Sequence, residues 1–329
     1  MPGSIPLRVI SKHEVEQLLT PEEILDTVEQ TFRMLGEGGI VHPIKEPIWL
    51  DEGKHNMLIA MPAYLRTRQV VGMKWINLFE HQHPGLPSSY GNLLILNHPE
   101  NGQPYAILEA TSITTCRTAG GHGVVAAKYL ARKDSKVLAM IGCGEEAKAG
   151  VRSFLIAFPG LEELRVCDLK PEAMEEMDRL FGSRIRVVRC PQARDAVEYA
   201  DIVMTVTTAR KPLVLFEWLK KGAFVAGLYQ FYDLDPACST KADKWVLGSK
   251  DTDYHQIVRN PLLSEHGLSM EHVYADLGEI VAGKRPGRTG SDEIIVYTHM
   301  GMGALDVAVG DLAFRRAEAQ GAGLVIDLA

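Results

Sequence analysis

Two groups of residues in this chain have types and spacings that suit chemistry. The first is Lys136-Val137-Leu138-Ala139-Met140-Ile141-Gly142-Cys143-Gly144-Glu145-Glu146-Ala147, an apolar run that ends in Gly-x-Gly-x-x-Ala and continues into helix-forming residues. Gly142 can take the tight turn out of a strand, and Gly144 lets the backbone approach a pyrophosphate closely. The small Ala147 lets the following helix pack on the strand, while amides of the first turn, beside Glu145, face the phosphates. About 20 residues on, Leu164-Arg165-Val166-Cys167-Asp168 reads as a second short strand ending in an acid, where a dinucleotide fingerprint requires one. A carboxylate there accepts both ribose hydroxyls and repels a 2′-phosphate, which predicts NAD(H) rather than NADP(H). The competing reading is a tight strand–helix turn with no ligand.

The second group is ionisable: Lys45, Lys74, Glu109 and Arg117. Lys74 interrupts the strand-like run Val71-Gly72-Met73-Lys74-Trp75-Ile76-Asn77. A lysine between Met73 and Trp75 lies either on a solvated strand face or inside a pocket. Partial burial would lower its pKa and make it a proton donor and acceptor near neutrality. Arg117, in Thr114-Thr115-Cys116-Arg117-Thr118-Ala119, suits either a forked clamp on a substrate carboxylate or an ion pair with Glu109. Lys45 follows Pro43 in a loop and is uninformative alone. Metal and nucleophile chemistry find little support. His81-Gln82-His83 lacks a third ligand, and there is neither a Gly-x-Ser-x-Gly elbow nor a Cys-x-x-Cys pair.

The elements that must position these residues fall into two styles. Residues 21–38 read as a helix, with Ile24, Val28, Phe32 and Leu35 at helical spacing. From about 40 to 110 the pattern is short strands: 47–50, 57–62, 70–78, 92–97 and 105–108, separated by turn signals, which predicts a mainly antiparallel α+β region. A small-residue helix is expected from Thr118 to Arg132. From 136 onward strands and helices alternate: 136–141, helix 145–157, 163–167, helix 171–181, 185–189, helix 192–199, 202–207, helix 215–220 and 223–227. Such apolar strands imply a parallel sheet covered on both faces. Residues 303–327 read as one long terminal helix.

With 329 residues the prior is two domains, and the net charge of −7 argues against a nucleic-acid or anionic-membrane binder. No apolar run reaches the length of a membrane span, and a secretory signal pattern is not seen at the N-terminus. The five cysteines, Cys116, Cys143, Cys167, Cys190 and Cys238, lack metal or redox spacing and read as reduced thiols. The expected compartment is the cytoplasm.

The chain resembles the ornithine cyclodeaminase/μ-crystallin family over nearly its whole length. The residues that carry the resemblance include Ala60-Met61-Pro62-Ala63-Tyr64, Gly72-Met73-Lys74, Gly85-Leu86-Pro87 and Asn97-His98-Pro99-Glu100-Asn101-Gly102. Thr114-Thr115-Cys116-Arg117-Thr118, Gly142-Cys143-Gly144, Ala200-Asp201-Ile202-Val203 and Leu277-Gly278-Glu279-Ile280-Val281-Ala282-Gly283 add to it. The resemblance implies a Rossmann-type doubly wound parallel sheet, residues 118–302, inserted into an α+β substrate-binding and dimerisation domain, residues 1–117 plus 303–329. It implies hydride transfer between NAD and the nitrogen-bearing carbon of an amino acid or imine, in a homodimer.

By that resemblance Lys74 is the pocket lysine near the reacting carbon, and Arg117 with Lys45 holds the substrate carboxylate beside Met61. The candidate cofactor set is Thr118, Gly142, Gly144, Glu145, Ala147, Asp168, Thr205, Thr207 and Gly227. One departure stands out. Relatives commonly carry a Gly-x-Asp where this chain reads Gly227-Leu228-Tyr229-Gln230, so Tyr229 or Asp233 is expected to replace that aspartate. A second is Glu109-Ala110-Thr111 in place of Asp-Gly-Thr. Three activities remain open on sequence: an amino-acid dehydrogenase or imine reductase, a cyclodeaminase that recycles its NAD, and a non-catalytic binding protein.

Overall fold

The computed structural model describes residues 4–51, 56–79, 91–228, 232–259 and 265–329. Two compact units emerge: Met1–Arg117 with Met302–Ala329, and Thr118–Gly301.

In the first unit, Thr20 begins the helix Pro21–Gly36 with a capping box. Its hydroxyl accepts from the Glu23 amide, and the Glu23 side chain reaches back to the Thr20 amide. The strands are β1 (Pro6–Ile10), β2 (Ile40–Val41), β3 (Pro47–Asp51), β4 (Asn56–Leu65), β5 (Val70–Leu78), β6 (Leu93–Asn97) and β7 (Pro104–Glu109), joined by the last strand of the chain, β16 (Leu324–Asp327). They form one sheet in the order β16-β1-β7-β6-β5-β4-β2, with β3 also on β4. All pairs are antiparallel except β1 on β7. Burial alternates along β4, so Met57, Ile59, Met61, Ala63 and Leu65 share the inner face.

The helix Gly303–Gln320 lies on that inner face, and two glycines set how closely. A Cβ on Gly303 would meet the Met61 carbonyl oxygen at 2.4 Å, and one on Gly310 would meet Leu94 Cδ2 at 1.9 Å. Residues 303, 306 and 310 form one stripe of a helix, so the spacing that brings the backbone onto the sheet also aims Asp306 at it.

In the second unit the strands are β8 (Val137–Ile141), β9 (Glu163–Cys167), β10 (Arg186–Arg189), β11 (Ile202–Thr205), β12 (Phe224–Gly227), β13 (Lys244–Leu247), β14 (Val273–Asp276) and β15 (Ile295–Thr298). Their order is β10-β9-β8-β11-β12-β15-β13-β14, and every pairing is parallel. The order turns back between β8 and β11, which makes the carboxyl edge there the crevice in which a doubly wound sheet takes its ligand.

Several expectations need correction. The terminal helix stops at Gln320, where Gly321 turns left-handed at φ 68°, and Leu324–Asp327 instead form β16 against β1. Residues 215–220 make only a single 3₁₀ turn, Phe216–Trp218. The small-residue helix begins with a π-helical turn, Thr118–Gly123, before Val124–Leu130, and Arg117 ends a helix of its own, Thr111–Arg117. No helix among the described residues is long and apolar enough to cross a membrane.

Candidate active site

In the second unit the glycine loop has the form a dinucleotide needs. Gly142 sits at φ 92°, and a Cβ there would lie 2.5 Å from the Val206 carbonyl oxygen, so only glycine fits. Gly144 has open space where a Cβ would stand. It caps the helix Glu145–Ala157 with no side-chain hydrogen bond, leaving the first-turn amides for an anion. Ala147 is fully buried against the sheet. The Glu145 carboxylate pairs with Lys148 at 2.7 Å and lies toward solvent.

Asp168 follows β9. Its Oδ2 accepts from the Cys143 amide at 2.8 Å, and its Oδ1 accepts from the Lys170 amide at 2.9 Å. Each oxygen keeps a second lone pair for a ribose hydroxyl. These residues fit a dinucleotide, with NAD favoured by the carboxylate.

Thr205, at the carboxyl end of β11, and Thr118, at the start of the π-helical turn, are buried. The Thr207 hydroxyl donates to Asp233 Oδ2 at 2.9 Å and accepts from the Ala209 amide at 3.1 Å. Asp233 is fully buried, and its Oδ1 has no hydrogen-bond partner among the described residues. Burial pushes its carboxyl up to about 6 against the opposing Thr207 hydroxyl. The structure thus places Asp233 behind Thr207, as the acceptor of its hydroxyl. Gly227 is shaped by packing, since a Cβ there would meet Leu234 Cδ1 at 2.9 Å. Tyr229 lies outside the described residues, as do Gly85-Leu86-Pro87 and His81-Gln82-His83.

The second constellation belongs to the first unit, and here the structure chooses between readings that the sequence left open. Lys74 is not a solvated strand lysine. Its position in β5 places it on the inner face with Val70 and Gly72, paired in register with Met61 of β4 and Leu94 of β6. Its side chain is 0% exposed, and Nζ donates to Asp306 Oδ1 at 2.7 Å and to the Thr114 hydroxyl at 3.1 Å. Arg117 does not pair with Glu109. Its Nε donates to the same Asp306 Oδ1 at 2.9 Å, while the Glu109 carboxylate accepts the Thr111 and Ser112 amides at the start of the helix Thr111–Arg117. Lys45 is buried rather than on the surface.

Two buried cations therefore share one carboxylate oxygen. Burial pushes the Lys74 ammonium down from 10.5 to about 7, with Arg117 and Lys45 adding to the shift and Asp306 opposing it. Burial would push Asp306 up, but Arg117 and Lys74 outweigh it and hold the carboxyl below its usual range. Such a lysine can give or take a proton at neutral pH.

Asp306 was not foreseen from the sequence. An acid inside Gly303-Ala304-Leu305-Asp306-Val307-Ala308-Val309-Gly310 was available as a signal, because glycines three before and four after it mark the stripe that touches another backbone.

The comparisons fit this arrangement. A model of the ornithine cyclodeaminase/μ-crystallin family matches residues 7–321. Alanine dehydrogenase of Archaeoglobus fulgidus is 31% identical over 323 residues, covering 96% of each chain. The structure of Thermococcus litoralis Δ(1)-pyrroline-2-carboxylate reductase in complex with NADH and L-proline matches with a TM-score of 0.87 at 30% identity, covering 96% of this chain and 99% of that one. An archaeal alanine dehydrogenase dimer with bound NAD matches with a TM-score of 0.88 at 31% identity, covering 98% of this chain and all of that one. A glycine loop that admits only Gly142, an acid tied to it, and a match that runs from β1 to the end of the last helix lead to one assignment: the chain belongs to the ornithine cyclodeaminase/μ-crystallin family.

Proposed function

We propose that this chain is an NAD(H)-dependent oxidoreductase that makes or breaks the bond between the α-carbon and nitrogen of an amino acid or its imine. The observation that carries this reading is the buried Lys74, poised to titrate near neutrality beside Arg117. The relatives compared above are named for alanine or for pyrroline-2-carboxylate, which share an α-nitrogen next to a carboxylate.

NAD supplies or receives the hydride when bound. The chain's own residues do the rest. Gly142, Gly144 and the amides after them receive the pyrophosphate, and Asp168 receives the adenosine ribose. Thr118, Thr205 and Gly227 complete the wall of the cofactor site, and Asp233 holds Thr207 in place. Arg117 and Lys45 attract the substrate carboxylate, with Met61 as apolar wall. Lys74 gives a proton to nitrogen in reduction and takes one in oxidation.

The protein works as a homodimer on this reading. Support comes from the dimeric archaeal relative and from β3, where Ile48, Trp49 and Leu50 are 53%, 42% and 56% exposed. Such a run on an open sheet suits burial by a second copy.

The test is a panel of L-amino acids with NAD, and of 2-oxo acids with ammonia plus cyclic imines with NADH, followed by nicotinamide absorbance. One member of the panel should consume or form NADH in step with product. Ammonia release with no net change in NADH would replace this reading with a cyclodeaminase. No turnover across the panel, with NADH still bound, would favour a binding protein.

A further inference from the structure

Lys74 is surrounded by charge from every side on which charged residues are present. Asp306 faces it from the helix Gly303–Gln320, Arg117 from the end of the helix Thr111–Arg117, and Lys45 from the loop before β3. β4 and β6, its neighbours in the sheet, contribute no charged residue. Thr114 adds a hydroxyl at 3.1 Å. Among the described residues, Asp306 is the anion that acts on Lys74 against the two bases Arg117 and Lys45. It meets Lys74 and Arg117 through one oxygen, at 2.7 and 2.9 Å, and its other oxygen, Oδ2, is buried with no partner among the described residues. The close approach that permits this depends on Gly303 and Gly310, since either Cβ would collide with the sheet.

From this geometry we infer that Asp306 is the positioning residue of the lysine site: its shared oxygen fixes the Lys74 ammonium against the Arg117 guanidinium, and its charge keeps the proton on Lys74 until a substrate nitrogen takes it. The inference rests on the oxidoreductase reading above for the identity of that proton acceptor. In imine reduction the carbon accepts the hydride from NADH and the C=N π pair moves to nitrogen. Nitrogen then takes the proton from the Lys74 ammonium, leaving a neutral amine that water reprotonates. Without Asp306 the two buried like charges of Lys74 and Arg117 face each other with no carboxylate between them. Lys74 then sheds its proton before substrate arrives.

The experiment follows Lys74 directly, so it does not depend on finding the substrate. Protein carrying ¹³Cε-labelled lysine is titrated by NMR, with Lys74→Met identifying the resonance. Wild-type Lys74 should titrate well below the 10.5 of an ordinary lysine. In Asp306→Asn, which keeps the shape and removes the charge, the midpoint should fall by at least about one pH unit. Asp306→Glu should restore part of the shift. Arg117→Met should move the midpoint the other way, which supplies a second test if Asp306→Asn fails to fold.

An ordinary lysine midpoint in the wild-type protein overturns the inference, and so does an unmoved midpoint in Asp306→Asn. Once a substrate is known, the pH profile of kcat/KM should shift with the NMR midpoint. A fall in rate with no change of profile would mean that Asp306 only holds the helix. Failure of the substrate panel alone would remove the oxidoreductase reading and leave the Lys74–Asp306 coupling standing.

Discussion

The amide of Cys143, the residue between the two glycines of the loop, donates to Oδ2 of Asp168 at 2.8 Å. The acid proposed to choose the ribose is thereby tied to the loop proposed to receive the phosphates, which would fix the two relative to one another before cofactor arrives. A second amide, from Lys170, holds the other oxygen at 2.9 Å. A carboxylate anchored at both oxygens cannot swing away from a 2′-phosphate.

NADH should therefore bind at least tenfold more tightly than NADPH, a gap of about 1.4 kcal/mol or more. Asp168→Asn keeps an oxygen for one amide and removes the charge, so the gap should shrink. Fluorescence titration with both cofactors reads it. Equal affinities in the unmutated protein would refute the role given to Asp168.

Lys74→Met should lower turnover on the order of 10²–10⁴-fold, the usual contribution of a positioned acid or base. NADH affinity should stay the same, because the glycine loop and Asp168 belong to the other unit. The pH profile has a definite sign. If Lys74 gives its proton in reduction, as proposed, the rate of imine reduction should fall as pH rises through about 7, where the ammonium titrates. Amine oxidation needs the neutral form and should rise over the same range. Full activity in Lys74→Met would end the proposed mechanism.

Much of the second unit is legible in the sequence because its signals are local. Helices Glu145–Ala157 and Pro171–Phe181 and strand Glu163–Cys167 each follow from a periodic run bounded by breakers. The first unit is less legible for a physical reason. β1 finds its partner β16 at the far end of the chain, with Pro6 opposite Asp327, and no local pattern encodes a pairing of that range. The apolar Leu324-Val325-Ile326 was absorbed into the preceding helix even though Gly321 and Gly323 both adopt positive φ and end it. The site divides the same way. The glycine loop and Asp168 are one motif, whereas Lys74, Arg117 and Asp306 meet only through tertiary packing. Asp306 went unseen because a single acid in a helix ordinarily marks its solvated face.

Gly303→Ala should be more damaging than its size suggests. Its Cβ would sit 2.4 Å from the Met61 carbonyl oxygen, which is backbone and cannot step aside. The helix must lift from β4, at a cost of about 1–3 kcal/mol for an overpacked interior, and Asp306 lifts with it. Thermal unfolding should show the loss of stability, and Lys74 titration should move toward that of Asp306→Asn. An alanine variant as stable as wild type would show that the helix can shift without penalty.

The Asp233 carboxyl gives the last prediction, one of stability against pH. Its pKa is raised from 3.8 to about 6 in the folded protein, first by burial. Below 3.8 both folded and unfolded chains hold the proton, and the group costs nothing. Between 3.8 and 6 the unfolded chain releases the proton while the folded one keeps it, so folding becomes less favourable as pH rises, and above 6 the penalty is complete. Asp233→Asn keeps an acceptor for the Thr207 hydroxyl and cannot ionise. Relative to wild type, the variant should therefore gain stability on going from about pH 4 to pH 7, on the order of 2 kcal/mol at 1.36 kcal/mol per pKa unit. Urea unfolding of both proteins at the two pH values measures the difference. A gap that does not change with pH would show that folding leaves the Asp233 pKa where it is in the unfolded chain, and would refute the upward shift.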